Sequence, residues 1–411
     1  MCKYIFFILL STVMITQSVS ASDIGKRYPS EKSVMIDTQT GYPVTLLTNG
    51  KSSDAKLYQT HPQWTSDSKY IVFRSSDRSA DKNSQAFAVS EETGEIIQLT
   101  DGEGTGTGSL NVARLSNKLY YFRTRGETKE LIELNLDSLL NDSHRNTMKK
   151  ETAYERKIAV LPSDLAESGG FTLDADETKA YVGVRRLNEK PDGQQNDEGF
   201  RIKQVPSGIR AIDLQTGEIT TVIDVPFTMG HVQANPFVPG EIVYCQETGG
   251  DAPQRMWITN ADGSDNHPLY LESPEDWVTH ETWIDKDHVY FHLMGHLPEL
   301  RAKPTGLFRI NVRTNQLQML GQLDYGSGFW HCGGTSDLKW AAADNFEGEV
   351  YLINCTSGER ILLTANHRMK PDHTHPTFSP DNTRILIQSG YLTDGQKLSL
   401  MVINIPPGLG K

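Results

Sequence analysis

Histidine residues stand at recurring positions along this chain, and imidazole can act as a general base near neutral pH or bind a divalent metal. Five of the 12 histidines each open a short β-rich segment: His61, His231, His280, His331 and His375. If these segments are repeats of one structural unit, the five imidazoles should gather around one point. Alternatively, each histidine belongs to a turn and bonds a backbone carbonyl group, which is the interpretation we favour for His61.

The pair His373 and His375 strengthens the case for a metal site. Side chains two residues apart on a strand point to the same side, so both imidazoles could reach one ion. With His331 from the preceding repeat they form a set of three imidazoles, which suits a borderline divalent metal. The sequence therefore predicts a three-histidine metal site.

The elements that must position these histidines are short strands that recur along the chain. A charged or imidazole residue precedes a run of β-formers at 69–73, 118–122, 179–183, 241–245, 288–292, 339–343 and 384–388. Several repeats share a Thr-Gly or Ser-Gly turn, where glycine accommodates the positive φ of a hairpin. Four short strands in each unit of about 50 residues are typical of a β-propeller. We predict an all-β fold, a seven-bladed β-propeller with four-stranded antiparallel blades; a β-sandwich or two stacked domains is the alternative.

The last repeat has only three strands and ends at 398–405. Residues 43–48 follow the same turn pattern near the N-terminus and are predicted to supply the missing outer strand. The first strand of each blade lines the central channel of a propeller, so residues that open the repeats should meet at one mouth of that channel.

Composition excludes several classes of protein. Hydrophobic residues make up 37% and charged residues 22%, which fits neither a disordered chain nor a membrane bundle. The formal net charge of −12 argues against a nucleic-acid-binding protein, which needs a basic face. A GxSxG nucleophile elbow is absent from the sequence. Cys245, Cys332 and Cys355 allow at most one disulfide.

Residues 1–21 have the pattern of a signal peptide. Lys3 precedes an apolar stretch over 4–15, and small residues occupy 19–21. Polar residues interrupt the apolar stretch, which is too short for a membrane anchor. We therefore expect 22–411 to be a single propeller domain that is exported to the periplasm, or secreted, and has no membrane span.

Several segments resemble the oligogalacturonate lyases, in the same order along the chain: 254–257, 279–283, the strand of His331, and 373–381. The resemblance covers most of 22–411 and is clearest over 230–389. It implies a seven-bladed propeller that cleaves short α-1,4-galacturonate oligomers by β-elimination, with Mn(II) held by three histidines and a glutamine. The resemblance also implies residue roles: a catalytic base at His280, an essential arginine at Arg255, and metal ligands at His331, His373 and His375.

One position departs from the pattern of that family. The residue that corresponds to the glutamine ligand is Lys370, and an ammonium group cannot bind a cation. We expect Asp372, His367 or water to complete the metal site, or the substrate range to differ.

Further basic residues could bind the other uronate groups of an oligomer. The candidates for substrate binding are His231, Arg185, Arg186 and Arg201. His231 is also the next candidate for the base. The alternative for Arg185 and Arg186 is a solvated strand edge. Two other functions stay open on the sequence alone: a lyase or epimerase acting on another uronic acid, and a non-catalytic propeller that binds oligosaccharides or proteins.

Overall fold

The computed structural model of this 411-residue chain describes residues 22–190, 202–294, 305–324 and 328–406. These residues form seven antiparallel sheets that follow one another along the chain, which confirms the predicted seven-bladed propeller. The predicted signal peptide lies outside the described residues, as does Arg201. None of the helices among the described residues has the length and hydropathy that a membrane span requires.

The first three blades are built from the N-terminal half of the chain. The strands of blade 1, from the channel outwards, are β4 (Asp54–Lys56), β5 (Tyr70–Ser75), β6 (Gln85–Ser90), β7 (Ile96–Gln98) and β1 (Arg27–Tyr28). Blade 2 has β8 (Thr105–Val112), β9 (Lys118–Arg125), β10 (Thr128–Asn135) and β11 (Glu155–Val160). Blade 3 has β12 (Leu165–Leu173), β13 (Lys179–Arg186), β14 (Ser207–Asp213) and β15 (Ile219–Val225).

The remaining four blades carry the candidate site. Blade 4 has β16 (Met229–Ala234), β17 (Glu241–Gln246), β18 (Met256–Asn260) and β19 (His267–Pro268). Blade 5 has β20 (Val278–Trp283), β21 (His288–Leu293), β22 (Gly306–Asn311) and β23 (Leu317–Gly321). Blade 6 has β24 (Phe329–Gly334), β25 (Trp340–Asn345), β26 (Val350–Asn354) and β27 (Arg360–Thr364). Blade 7 has β28 (Thr377–Phe378), β29 (Arg384–Ser389), β30 (Ser399–Asn404), β3 (Pro43–Leu46) and β2 (Ser33–Ile36).

Strand β3 closes the ring by pairing with β30, with Val44 opposite Ile403 and Leu46 opposite Met401. The predicted pairing of the N-terminal segment with the last repeat is therefore confirmed. Two sheets have a fifth strand that the repeat pattern did not predict, because β1 and β2 add to the outer edges of blades 1 and 7.

The apolar core lies between adjacent blades. The strands present side chains on both faces, and each cluster joins two neighbouring sheets, as where Tyr181 and Ile209 of blade 3 meet Val232 and Ile242 of blade 4. One helix, α1 (Leu136–Arg145), interrupts blade 2 and was not predicted. Asn135 caps its N-terminus, and it buries Leu136, Leu139 and Leu140 between blades 1 and 2.

Candidate functional site

Bulges in the innermost strands set the direction of the repeated histidines. The strand register shifts next to three of them, between Gly230 and Gln233, between Thr279 and Thr282, and between Phe329 and Cys332. A bulge leaves a residue unpaired and redirects its side chain. His231, His280 and His375 have φ values of 49°, 53° and 50°, a left-handed conformation that costs a non-glycine residue on the order of 1–3 kcal/mol. Blade 3 has the same kind of bulge but uses Gly169, where a Cβ atom would lie 2.4 Å from the Met229 carbonyl oxygen.

Four of the five repeated histidines meet at one mouth of the channel, which we call the histidine mouth. The ring centroids of His331 and His375 are 3.8 Å apart, those of His280 and His331 are 4.3 Å apart, and those of His231 and His280 are 6.2 Å apart. The fifth, His61, bonds the Phe171 carbonyl oxygen through Nε2 at 2.9 Å. The favoured interpretation of His61, an imidazole satisfied by backbone, is therefore confirmed.

The reason given for grouping His373 with His375 was wrong. Residues 365–376 have no regular secondary structure, and β28 begins only at Thr377, so the two imidazoles are not alternate side chains of a strand. Both nevertheless lie against His331, with ring centroids 5.2 Å from it for His373 and 3.8 Å for His375. Nδ1 of His373 is buried and has no hydrogen-bond partner among the described residues.

Asp344 of β25 organises this histidine set and was missed by sequence reasoning. Its fully buried carboxylate lies 3.2 Å from His331 Nδ1 and accepts hydrogen bonds from Thr374 Oγ1 at 2.8 Å and from the His375 backbone N–H at 3.1 Å. A carboxylate that holds one imidazole nitrogen fixes the tautomer and leaves the other nitrogen for a metal. Oxygen atoms of Asp344 also lie close enough to His331 and His373 for all three groups to share an ion.

Lys370 is placed as expected for an ammonium group, which cannot bind a cation. Its side chain is exposed and forms no hydrogen bond or ion pair with the described residues. Both ring nitrogens of His367 bond hydroxyl groups, Thr364 Oγ1 at 2.7 Å and Ser389 Oγ at 2.8 Å. Both ring nitrogens of His375 are bonded too, Nδ1 to Gln59 Oε1 at 2.8 Å and Nε2 to Asp372 at 3.2 Å, so a metal ion on either imidazole has to displace one of these partners.

Asp372 is better placed to replace the missing glutamine. One carboxylate oxygen lies 3.2 Å from His375 Nε2, and burial opposes its charge, but His375 and other donors hold the pKa of Asp372 well below its usual range. Burial and the neighbouring imidazoles of His375 and His373 hold the pKa of His331 well below its usual value. Neutral imidazoles beside ionised carboxylates are the donor set that a divalent cation needs. The residues of the histidine mouth thus fit a divalent metal.

His280 lies beside this set. Its ring is 4.4 Å from the Trp330 ring between centroids, and Nδ1 bonds Thr279 Oγ1 at 3.0 Å. Burial, the His331 imidazole and the Arg255 guanidinium hold the pKa of His280 well below its usual value. The imidazole is therefore neutral and can accept a proton.

Glu281, the next residue, links Arg255 with His231. Its fully buried carboxylate accepts a hydrogen bond from Arg255 Nε at 3.0 Å, and its other oxygen lies 3.0 Å from His231 Nδ1. The terminal nitrogens of Arg255 form no hydrogen bond with the described residues, and the Glu247 carboxylate lies 3.8 Å from Nη1. The guanidinium is therefore fixed at one edge and free to bind a carboxylate at the other.

Tyr58 lies in the middle of the imidazoles, which the sequence did not indicate. Its ring centroid is 5.5 Å from that of His231, 6.2 Å from that of His331 and 5.2 Å from that of His375. Burial raises the pKa of the Tyr58 phenol above its usual value, so the phenol stays protonated and can donate.

The other predicted arginines are not part of this cluster. Arg185 and Arg186 end β13 on the same side of the propeller as the histidine mouth, but neither contacts the imidazoles. Arg186 pairs with Glu189 and bonds the Val225 carbonyl oxygen, and Arg185 is exposed. The position of Arg185 agrees with the alternative, a solvated strand edge, whereas the side chain of Arg186 is only 16% exposed. Arg201 lies outside the described residues.

Comparison with known proteins gives this geometry its context. A sequence model of the family described as oligogalacturonate lyase matches residues 23–295, a stretch that includes Arg255 and His280 and ends before His331. Oligogalacturonate lyase of Dickeya dadantii strain 3937 is 24% identical over 340 residues, which cover 77% of this chain and 81% of that protein. Oligogalacturonide lyase of Pectobacterium atrosepticum is 22% identical over 331 residues, covering 75% and 80%.

Two solved structures share the fold over almost the whole chain. An oligogalacturonate lyase in complex with manganese has a TM-score of 0.78 at 20% identity and covers 94% of this chain and 100% of its own. An oligogalacturonate lyase from Vibrio parahaemolyticus has a TM-score of 0.77 at 19% identity, with the same coverage. The match to the family model extends over more than half of the sequence, and on this ground the chain belongs to the oligogalacturonate lyase family of enzymes.

Proposed function

We propose that this enzyme cleaves short α-1,4-linked galacturonate oligomers by metal-dependent β-elimination and releases unsaturated uronate products. The observation that carries the proposal is the convergence at the histidine mouth of a neutral imidazole, a free guanidinium edge and an imidazole–carboxylate set. β-Elimination removes the proton α to the uronate carboxylate and expels the glycosidic oxygen from the neighbouring carbon. It therefore needs a base, stabilisation of the negative charge, and a proton for the leaving oxygen.

His280 is the base in this proposal. Its pKa is held low by burial, by the His331 imidazole and by the Arg255 guanidinium, so it is unprotonated when the substrate arrives. Only the ring nitrogen that is not bonded to Thr279 can face the substrate, which fixes the point of proton transfer at Nε2.

Arg255 binds the carboxylate at the reacting sugar. As the proton leaves, charge spreads onto that carboxylate, and a guanidinium can hold both oxygens with two parallel hydrogen bonds. Glu281 keeps the guanidinium in one orientation, so the terminal nitrogens are aligned before the substrate binds.

Tyr58 is the candidate donor to the leaving oxygen. Its phenol is neutral and close to three imidazoles, and protonation of the departing oxygen avoids the release of an alkoxide. His231 contacts the Tyr58 ring and is proposed to bind a hydroxyl or carboxylate group of the substrate.

His331, His373 and His375 would hold the metal, with Asp372 in the place of the family's glutamine. A bound divalent ion, Mn(II) in this proposal, would supply Lewis-acid neutralisation of the uronate carboxylate. The similar oligogalacturonate lyase that is in complex with manganese supports this choice of ion. We also infer that 1–21 direct export to the periplasm, where short pectic oligomers could be met.

The test is the absorbance of the unsaturated uronate formed when the purified enzyme is mixed with di- and trigalacturonate and Mn(II). His280→Ala and Tyr58→Phe should lose most of the signal, whereas the control His144→Gln, an exposed histidine on α1, should keep it. No absorbance change with galacturonate oligomers would overturn the proposal. Oligomers of mannuronate and glucuronate in parallel reactions would then show whether another uronic acid is the substrate.

A further inference from the structure

A cavity lies at the end of the channel opposite the histidine mouth. Strands that carry the site histidines continue into it: Trp283 follows His280 on β20, and Gly334 follows His331 on β24. At about 3.3 Å per residue, three residues place the cavity on the order of 10 Å from the imidazoles. Its volume is about 280 Å³, and we call it the distal cavity.

The lining of the distal cavity is unusual for an acidic protein. The chain has a formal net charge of −12, yet no Asp or Glu is among the described residues that line this cavity. Arg114 and His61 are the basic residues among them. Burial lowers the pKa of His61 to about 4 and keeps it neutral, so Arg114 is the one cation in this lining. The rest are hydroxyl, amide, aromatic and other uncharged groups, including Thr60, Ser66, Thr282, Asn382, Phe237 and Phe378.

Arg114 is available to an anion. Arg114 is exposed over the residue as a whole, and its guanidinium forms no hydrogen bond or ion pair with the described residues. The guanidinium lies 5.9 Å from the ring centroid of Phe237, which is 45% exposed. Desolvation of the guanidinium by the protein atoms around it lowers the pKa of Arg114 to about 10, so the group remains charged at neutral pH. The neighbouring carboxylate of Glu177 is held by the backbone N–H groups of Leu115 and Ser116.

Two buried amide groups in the same lining each have one atom without a partner. Gln59 Oε1 bonds His375 Nδ1, and Gln63 Nε2 donates to the Tyr58 and His61 carbonyl oxygens. Nε2 of Gln59 and Oε1 of Gln63 have no hydrogen-bond partner among the described residues, although these side chains are only 6% and 1% exposed. A buried polar group without a partner costs about 1–3 kcal/mol and calls for a bound water or ligand. An unpaired donor, an unpaired acceptor and a free guanidinium thus line one cavity.

We propose that the distal cavity is a second saccharide site, which binds a single uronate sugar. Arg114 receives the carboxylate as a bidentate partner, and the faces of Phe237 and Phe378 cover the apolar face of the ring. Gln59 and Gln63 bond hydroxyl groups, one as donor and one as acceptor. This site does not depend on elimination at the histidine mouth.

Titration calorimetry of the full chain, with metal removed by a chelator, tests the proposal with galacturonate as the probe. Arg114→Gln should weaken one class of binding site about tenfold or more, because a charge-assisted hydrogen-bond pair is lost. The exposed Arg145→Gln, on α1, is the matched control and should bind as the unmodified protein does. Arg114→Gln should leave the elimination rate unchanged, which also shows that it folds.

Equal galacturonate affinity in Arg114→Gln and Arg145→Gln would overturn the proposal. Galactose and acetate distinguish the chemistry that is recognised. If galactose binds as tightly as galacturonate, the carboxylate is not recognised. If acetate binds as tightly as galacturonate, the sugar ring is not recognised. If the unmodified protein shows no elimination activity but Arg114→Gln still weakens galacturonate binding, the proposed elimination is overturned and this second site stands.

Discussion

Glu281 accepts a hydrogen bond from Arg255 Nε at 3.0 Å, and the two side chains are only 0% and 3% exposed. Burial opposes the charge of Glu281, yet Arg255 and His231 hold the pKa of its carboxyl group well below its usual range. The pair is therefore ionised although it is almost entirely removed from bulk water. Removing the charge of one partner leaves the other charge buried and uncompensated.

Glu281→Gln is expected to lower the free energy of unfolding by about 3 kcal/mol, because the buried guanidinium loses its counter-charge. Urea denaturation of Glu281→Gln and of the unmodified protein measures this difference. The exposed Glu218→Gln, at a hairpin of blade 3, is the matched control and should change stability by less than about 0.5 kcal/mol. Equal urea midpoints for both variants would contradict the assignment of Glu281 as the counter-ion of Arg255.

His280→Ala is expected to reduce turnover by about 10²–10⁴, because the base is lost, while metal content stays as in the unmodified protein. Arg255→Lys should also be severely impaired, since one ammonium replaces a guanidinium that can donate two parallel hydrogen bonds to a carboxylate. Turnover with digalacturonate and metal analysis of the same samples check both. Near-normal turnover in His280→Ala would assign the base elsewhere, with His231 as the next candidate.

Asp344→Asn is expected to weaken metal affinity about 10–100-fold, because the amide no longer fixes the His331 tautomer by charge. Metal titration followed by chelator competition measures the affinity. The exposed Asp265→Asn is the control, since Asn tolerates the left-handed backbone at that position. Unchanged affinity in Asp344→Asn would show that the carboxylate is not needed to orient the imidazole.

Lys370→Gln is expected to keep or raise metal affinity, because the ammonium is exposed and contributes no ligand. His373→Ala and His375→Ala should each lose metal and activity together. Metal analysis of the three purified variants decides this. Retention of both metal and activity in His373→Ala would show that the three-histidine site is wrong.

Acid should destabilise the fold through buried neutral histidines. Burial lowers the pKa of His367 to about 4, against about 6.5 in an unfolded chain. The unfolded state therefore binds more protons between these values, so this contribution to stability is complete above pH 6.5 and is lost as pH falls towards 4. His367→Gln should reduce the slope of unfolding free energy against pH by up to about 1.4 kcal/mol per pH unit.

Urea midpoints at pH 7 and pH 5 measure that slope. His144→Gln, whose side chain is 41% exposed, is the control and should leave the slope as it is. A His367→Gln variant with the same slope as this control would contradict a neutral buried His367.

The fold was predictable because each repeat carries its own local signals. Glycines such as Gly94 and Gly217 mark the hairpins, and apolar runs mark the strands between them. The helix α1 was missed although its signals are also local: Asn135 as cap and leucines at 136, 139 and 140. The strand repeat around it favoured a β interpretation of this segment.

The partners of the catalytic candidates could not be predicted in the same way. Gln59 bonds His375 Nδ1 across 316 positions in sequence, and Asp344 bonds Thr374 across 30. Acidic residues in β-strands usually belong to a solvated edge, so nothing local distinguishes Glu281 or Asp344 from Asp224, an exposed residue of the outer strand β15. Their roles appear only when the bulges of neighbouring blades bring them together.

The closure of blade 7 by β3 and β30 has a consequence for how the ring forms and opens. Leu400 N donates to Thr48 Oγ1 across 352 positions, so nearly the whole chain must be in place before this sheet is complete. Contacts of such long range slow folding, since the loop entropy is lost before the contact stabilises. Until then, β30 exposes an unpaired edge that can associate with other chains. Once closed, the ring has no terminal blade at which strands can separate one at a time.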